Sequence, residues 1–184
     1  MSSKFSEILI AGADESNHGD KNKIELVVVT FSTNYWDSVV GKFSLKRNYS
    51  DLAHFISKGG DFRYKALISE KYSHNGSNLC EITPEIIMGY MDEEDLYTKV
   101  VKVYLDGTIR NKGRDNIRNS LLDFRGITKV IVDNFEKKHM QENGHLSKCF
   151  YCPTVIPRAD AIAHDLSHLS LEEHLKNKKF LGIK

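Results

Sequence analysis

The chain is organised around the stretch Ile8-Leu9-Ile10-Ala11-Gly12-Ala13-Asp14-Glu15-Ser16. Its apolar residues predict a buried β-strand over about residues 7–14, and the run ends in two adjacent carboxylates. Open sheets with a parallel core place their sites at the carboxyl ends of the strands. Asp14 and Glu15 therefore occupy a natural position for ligands of a divalent metal ion. The alternative is that a strand ends there and ordinary polar turn residues follow.

Length and composition describe an ordinary globular chain. Its 184 residues, 40% of them hydrophobic and 28% charged, suit one domain with a substantial core. We therefore predict a single domain over residues 1–184. The net charge is +1, so any nucleic acid must bind through a local patch rather than through the overall field of the protein.

The sequence also predicts where in the cell the protein is located. Its apolar runs are far too short to span a membrane, and the amino-terminal residues lack the long apolar segment of a signal peptide. The cysteines number three, an odd count that does not indicate a disulfide scaffold. We expect a cytoplasmic protein without membrane association; the sequence does not predict its oligomeric state.

Hydrophobic patterns outline the first strands and helices. A second strand over about residues 24–31 follows a short polar link, which predicts an antiparallel hairpin with the first strand. A third strand is expected over residues 62–68. Ser50 is a candidate N-cap for a short helix, and Thr83-Pro84-Glu85 has the cap, proline and acid of another helix start.

The middle of the chain predicts a crossover unit. A strand over residues 100–105 ends in Asp106, an amphipathic helix over residues 114–124 follows, and a strand over residues 129–132 ends in Asp133. Such a unit joins parallel strands by a right-handed crossover. Parallel neighbours would place Asp106 and Asp133 at the same sheet edge.

The last predicted core element is a helix that packs through alanine, isoleucine and leucine side chains. It presents Asp160, His164 and His168 at intervals of four residues, on a stripe beside the apolar face. A peripheral helix over about residues 171–180 follows. The fold class is therefore α/β, with a mixed sheet flanked by helices, a core over about residues 7–170, and strands that are antiparallel in the first hairpin and parallel later.

Three predicted strands thus end in acid, and a helix adds a fourth acid, Asp160. Carboxylates held close together raise one another's pKa and cost stability unless a cation compensates. Ligands that are all oxygen suit Mg²⁺ or Mn²⁺. Two such ions about 4 Å apart would clamp the attacking and leaving oxygens of a phosphodiester. The alternative is that the four acids are unrelated turn residues.

The order of these elements and acids resembles the ribonuclease H-like fold. The opening Ala13-Asp14-Glu15-Ser16 is similar to the Asp-Glu opening of ribonuclease HII. The resemblance is closer to a widespread, poorly characterised family of small prokaryotic ribonuclease H-like proteins. Its members open with Asp-Glu-Ser, carry two later strands that end in Asp, and close on a helix with an Ala-Asp-x-x-Ala pattern. Here that pattern is Ala159-Asp160-Ala161-Ile162-Ala163.

The chain departs from these patterns in several places. Pro157-Arg158 stands where the family often has Gln two residues before the closing Ala-Asp. Asn17 and His18 separate Ser16 from Gly19, where the family runs Asp-Glu-Ser-Gly. The closing helix also lacks the usual basic end. The Gly-Arg-Gly that follows Asp-Glu in ribonuclease HII is absent, which argues against ribonuclease HII activity itself.

The resemblance implies hydrolysis of phosphodiesters with divalent metal ions. Asp14, Asp106 and Asp160 are the expected metal ligands, and Asp133 is a second or shared ligand. Glu15 has the same secondary role, or orients water, and it ranks lower because adjacent strand residues point to opposite faces. Lys65 is a candidate for contacting the scissile phosphate, although a lysine on a strand is more commonly a surface residue.

Other candidate sites are weaker. Cys149 and Cys152 form a lone C-x-x-C that, with the upstream His139 and His145, would suit Zn²⁺. A redox pair or simple packing gives the same spacing. His164 and His168 are candidate proton shuttles or ordinary surface histidines.

Residues 35–47 have a mixed aromatic and basic character. The aromatic residues there suit base stacking or core packing, and the basic ones suit a phosphate-contacting patch or a solvated loop. The aromatic residues are Tyr35, Trp36 and Phe43, and the basic residues are Lys42, Lys46 and Arg47.

The sequence therefore predicts a Mg²⁺- or Mn²⁺-dependent nuclease, or a related phosphodiester-transfer enzyme, that acts on nucleic acid with two metal ions. The chief alternative is a catalytically inactive module of the same fold that binds nucleic acid or protein. An enzyme acting on a small phosphorylated metabolite lacks support, because no strand is followed by a Gly-rich phosphate loop.

Overall fold

A computed structural model describes residues 4–17, 23–32, 60–68, 77–135 and 152–184. These residues form a six-stranded sheet with the strand order β5-β4-β1-β2-β3-β6. The strands are β1 (Lys4–Ser16), β2 (Glu25–Ser32), β3 (Gly60–Leu67), β4 (Leu96–Asp106), β5 (Lys129–Phe135) and β6 (Phe180–Ile183).

The sheet is mixed, as the sequence predicted. β1 pairs antiparallel with β2, and β2 antiparallel with β3. On its other side β1 pairs parallel with β4, which in turn pairs parallel with β5. β1 is therefore central to the sheet, and its residues from Leu9 to Ala13 that carry side chains are fully buried. This burial explains why β1 is a continuous apolar run rather than an alternating one.

Helices cover both faces of the sheet. They are α1 (Ser77–Glu93), α2 (Asn111–Leu121), α3 (Cys152–Leu166) and α4 (Leu171–Lys176). On the first face, here called the α1 face, Leu9 and Ala13 of β1 pack in one core with α1 and α2. On the opposite face, here called the α3 face, Val28 of β2 packs with Ile162 and Leu166 of α3. Strand residues thus alternate between two separate cores.

The start of α1 differs from the sequence prediction. The helix begins at Ser77, not at Thr83, and it contains Pro84. A proline inside a helix removes the N–H that would bond the carbonyl four residues earlier, which here is that of Cys80. The Asn116 side chain from α2 donates a long hydrogen bond of 3.5 Å to this carbonyl. The facing helix therefore compensates in part for the proline.

The carboxyl-terminal segment also differs from prediction. The expected helix over residues 171–180 ends at Lys176, and the chain continues into the edge strand β6 beside β3. His174, which is fully buried, anchors α4 because its Nδ1 lies 2.9 Å from the Tyr64 hydroxyl on β3. A strand of only four residues has too short a pattern to be recognised in the sequence.

Some predictions fall on residues outside the described ranges. The helix expected after Ser50 is one of them. In the part of the chain that is described, no helix has the length and apolar character needed to cross a membrane.

Candidate active site

Asp14 and Glu15 point to opposite faces of the sheet. β1 continues as a regular strand to Ser16, so neighbouring side chains alternate. Asp14 pairs with Val28 and lies on the α3 face. Glu15 pairs with Val27 and lies on the α1 face. Although Asp14 and Glu15 are adjacent in the sequence, their carboxylates therefore have different neighbours.

Asp14 is a buried carboxylate with other acids close to it. Its side chain is 7% exposed, and its Oδ1 accepts a hydrogen bond of 2.8 Å from the backbone N–H of Glu15. Its pKa is raised to about 8, chiefly by burial; the Asp106 carboxylate and then the Asp160 carboxylate contribute to the rise, and that hydrogen bond opposes it. Asp14 is thus the centre of a three-carboxylate cluster, Asp14–Asp106–Asp160, on the α3 face.

The register of the parallel strands places Asp106 beside Asp14. Ala13 of β1 pairs with Leu105 of β4, so the next residues of both strands lie at the same level. Both Ala13 and Leu105 belong to the α1-face core. The following residues, Asp14 and Asp106, therefore share the α3 face, at the carboxyl ends of adjacent strands.

A close approach of α3 to β1 places Asp160. A Cβ added to Gly12 would lie 2.5 Å from the Cβ of Val155, so only glycine allows α3 to pack this closely. The Thr30 hydroxyl on β2 donates a hydrogen bond of 2.7 Å to the Val155 carbonyl. Together these contacts fix α3 against the sheet and place the half-buried Asp160 within electrostatic reach of Asp14.

The structure does not bring Asp133 into this cluster. The sequence predicted a strand over residues 129–132 that ends in Asp133, but β5 continues to Phe135. Asp133 pairs with Tyr104, whereas Asp106 pairs with Phe135. Asp133 therefore lies level with Tyr104, two residues before Asp106 and further from the carboxyl ends of the strands. Its side chain is exposed. It is not among the groups that shift the pKa of Asp14.

Glu15 belongs to a second pair of acids, on the α1 face. Its pKa is raised to about 7, chiefly by burial; the neighbouring Glu25 carboxylate contributes to the rise, and a hydrogen bond from the backbone N–H of Leu79 opposes it. Glu25 is fully buried and accepts a hydrogen bond of 3.1 Å from the Asn78 side chain. Burial and Glu15 together raise the pKa of the Cys80 thiol to about 11. Glu25 could not be singled out from the sequence, because a single acid in a Val-rich strand gives no functional signal.

Lys65 lies away from the cluster. It pairs with Val27 on β2 and so shares the α1 face, opposite to Asp14. Its Nζ lies 2.9 Å from a carboxylate oxygen of Glu85 on α1. Contrary to the role expected from the sequence, Lys65 joins β3 to α1 and is not placed to contact a phosphate at Asp14.

An open cleft of about 1010 Å³ lies at the carboxyl edge of the sheet. Asp14, Glu15 and Asp106 line one part of it, and residues from the amino-terminal ends of α1 and α2 line the rest. Asp14 and Asp106 are therefore reached from an open groove, which suits an extended substrate better than a small molecule that needs an enclosed pocket.

The Asp14, Asp106 and Asp160 carboxylates meet only part of the requirements of a Mg²⁺ or Mn²⁺ site. In the described ranges, no group of three or more His, Cys, Asp and Glu side chains is arranged to hold a metal ion. Mg²⁺, however, is commonly held by one or two carboxylates, with water and substrate phosphates as the other ligands. Asp14, with Asp106 and Asp160 near enough to raise its pKa, provides carboxylate oxygens of the kind that this partial coordination uses.

The remaining candidates do not extend the site. The His164 and His168 rings contact each other at 5.1 Å between centroids, and both histidines are exposed. His164 is on α3, but the helix ends at Leu166, before His168. Cys149, His139 and His145 lie outside the described residues, as do the aromatic and basic residues between 35 and 47. Cys152 is the first residue of α3, so a Zn²⁺ site at the C-x-x-C remains a prediction.

Comparison with known proteins supports the fold. No protein-family model and no curated protein matches the sequence. The solved structure of ribonuclease H2 from Pyrococcus horikoshii OT3 is similar, with 14% identity, a TM-score of 0.50, and coverage of 94% of this chain and 80% of that chain. The structure of the PCNA:RNase HII complex from Archaeoglobus fulgidus also aligns, with 13% identity, a TM-score of 0.47, and coverage of 94% and 82%. As the sequence predicted, the chain has the ribonuclease H-like fold.

Proposed function

We propose that the protein is a divalent-metal-dependent nuclease, or a related phosphodiester-transfer enzyme, acting on nucleic acid. The observation that carries this proposal is the cluster of Asp14, Asp106 and Asp160. The cluster includes a buried carboxylate whose pKa burial and like charge raise to about 8. An arrangement of this kind costs stability in the protein alone. A bound cation would neutralise the like charges and so remove that cost.

Asp14, Asp106 and Asp160 are the residues that would hold Mg²⁺ or Mn²⁺. When bound, two such ions would supply positive charge to the attacking and leaving oxygens of a phosphodiester. Asp14 would lose its proton on binding the metal, which ties metal affinity to pH. The N–H of Glu15 orients the Asp14 carboxylate at 2.8 Å, so little rearrangement is needed at this ligand.

The open cleft and the fold support nucleic acid as the substrate class. Asp14 and Asp106 line a groove of about 1010 Å³ that is open at the sheet edge, and an open groove of this size suits a polymer. A ribonuclease from Pyrococcus horikoshii OT3 has the same fold, and this supports testing RNA and RNA–DNA hybrids before DNA. Fold alone does not decide the substrate.

A cleavage screen tests the proposal. Single-stranded RNA, single-stranded DNA, both duplexes and the hybrid are incubated with Mg²⁺, with Mn²⁺ or with EDTA. We expect cleavage of at least one substrate only when a metal ion is present. Asp106→Asn should reduce the rate by at least about 100-fold, since removal of charge at a reacting centre typically costs that much.

Asp133→Asn is the matched control, because it makes the same chemical change on the neighbouring strand at an exposed position. It should cleave like the wild type. Cleavage that persists in EDTA, or an Asp106→Asn variant as active as Asp133→Asn, would contradict the proposal. Binding of nucleic acid without cleavage under any metal condition would favour the inactive binding module instead.

A further inference from the structure

Two cations line the same cleft as the acids. Arg110, at the N-cap of α2, and Lys112, in its first turn, both line the cleft that contains Asp14 and Asp106. Both side chains are exposed. The cleft therefore has an acidic end on the sheet and a basic end on α2.

Among the described residues, neither Arg110 nor Lys112 forms an ion pair with a carboxylate. Arg118 of α2, by contrast, pairs with Asp115. Glu81, an acid of the same cleft, pairs with Lys184 at 2.7 Å instead. The positive charge at the basic end of the cleft is thus available to a ligand.

The charge of this region contrasts with that of the whole chain. Between Arg110 and Leu121 the sequence holds four cations and one carboxylate, whereas the net charge of the protein is only +1. A near-neutral protein binds a polyanion only through a local patch. Arg110 and Lys112 form such a patch, and it is continuous with the proposed catalytic cleft.

We propose that Arg110 and Lys112 bind a backbone phosphate of the nucleic acid other than the phosphate that is cleaved. This inference rests on the proposed function and identifies the path of the strand, from the Asp14–Asp106–Asp160 cluster across the carboxyl edge of the sheet to the start of α2. Contacts of this kind position a polynucleotide without reading its sequence. The preferred substrate is therefore a strand that extends past the cleaved bond on the α2 side.

The test measures binding without metal, so that it does not depend on catalysis. Fluorescein-labelled single-stranded RNA and DNA of about 16 nucleotides are titrated in EDTA by fluorescence anisotropy at several KCl concentrations. Arg110→Gln/Lys112→Gln should weaken binding by about tenfold and reduce the slope of log K against log[KCl] by about 0.7, because each phosphate neutralised on a single strand contributes about that much. Arg110 makes no side-chain cap hydrogen bond, so the helix start should be preserved.

Lys99→Gln/Lys129→Gln is the control with the same change of charge. Lys99 and Lys129 are exposed near the amino ends of β4 and β5, at the opposite edge of the sheet from the cleft. This variant should bind within about twofold of the wild type, since its charges lie more than a Debye length from the cleft. Circular dichroism and the thermal midpoint of each variant establish that it is folded.

The outcomes separate this inference from the nuclease proposal. If Arg110→Gln/Lys112→Gln binds like the wild type, or if both double variants weaken binding equally, the α2 phosphate site is refuted while the cleavage screen still decides the nuclease proposal. Wild-type protein that binds neither probe would refute it as well. Selective loss in the Arg110→Gln/Lys112→Gln variant supports the site even if no cleavage is found.

Discussion

The substitution Asp14→Asn is expected to stabilise the metal-free protein, by about 3–5 kcal/mol near pH 8. Asp14 is buried, and its pKa in the folded protein is about 8, against 3.8 for an ordinary aspartate side chain. The unfolded chain ionises this group freely, whereas the folded protein must keep it protonated or bear a buried charge beside Asp106. Asparagine removes this cost and retains an oxygen that can accept the hydrogen bond from the Glu15 N–H.

The sign of the pH dependence follows from the raised pKa. Between about pH 4 and pH 8 the folded protein holds a proton that the unfolded chain has lost, so the Asp14 contribution to stability falls as pH rises. The advantage of Asp14→Asn should therefore be small near pH 4, grow up to about pH 8, and then remain constant. Urea denaturation in EDTA at several pH values measures it.

Asp133→Asn is the control for this prediction too, since that carboxylate is exposed and its replacement should change stability little. The prediction is contradicted if Asp14→Asn is no more stable than the wild type near pH 8, or if its advantage does not vary with pH. Added Mn²⁺ should reduce the difference in stability between Asp14→Asn and the wild type, because a metal that binds only the folded wild type stabilises that protein selectively.

The substitution Gly12→Ala is expected to destabilise the protein by about 2–3 kcal/mol and to reduce cleavage by on the order of 100-fold. The new Cβ would lie 2.5 Å from the Val155 Cβ and 2.6 Å from the Val155 carbonyl carbon. Because the second of these is backbone, a side-chain rotation cannot relieve the overlap. α3 must move away from β1 and carry Asp160 with it.

Gly89→Ala is the matched control. Its new Cβ would meet only the end of the Leu181 side chain, at 3.3 Å, and alanine is the better helix former. Denaturation midpoints and cleavage rates are compared. A Gly12→Ala variant as stable and active as Gly89→Ala would refute the close approach of α3. If Gly12→Ala does not fold, Thr30→Val, which removes the hydrogen bond to the Val155 carbonyl, should show the same trend with a loss of about 1–2 kcal/mol.

Local patterns in the sequence predicted most of the sheet. The Val-rich run of β2, the apolar run of β1 and the strand–helix–strand unit that ends in β5 each carry their own periodicity. Strand ends are also local features, so Asp14 and Asp106 could be selected as site residues without knowledge of the packing. Asp160 required the further step of recognising the Ala-Asp-x-x-Ala helix.

The errors concern properties that depend on partners distant in the sequence. The level of Asp133 relative to Asp106 is set by the pairing of β5 with β4. The face occupied by Lys65 is set by the pairing of β3 with β2. The residues next to Lys65 and Asp133 in the sequence determine neither register. Likewise, the need for glycine at position 12 becomes evident only once Val155 lies against it.

The most direct test of the metal site is a calorimetric titration of Mn²⁺ into the wild type and Asp14→Asn near pH 8. The expected stability of Asp14→Asn matters here, because a folded variant excludes unfolding as the reason for lost binding. The titration is repeated with a non-cleavable oligonucleotide, since substrate phosphates often complete the coordination of such ions. We predict that the wild type binds Mn²⁺ in at least one of the two conditions and that Asp14→Asn binds in neither. Equal binding by the two proteins, or no binding by the wild type even with the oligonucleotide, would contradict a metal site at Asp14, Asp106 and Asp160.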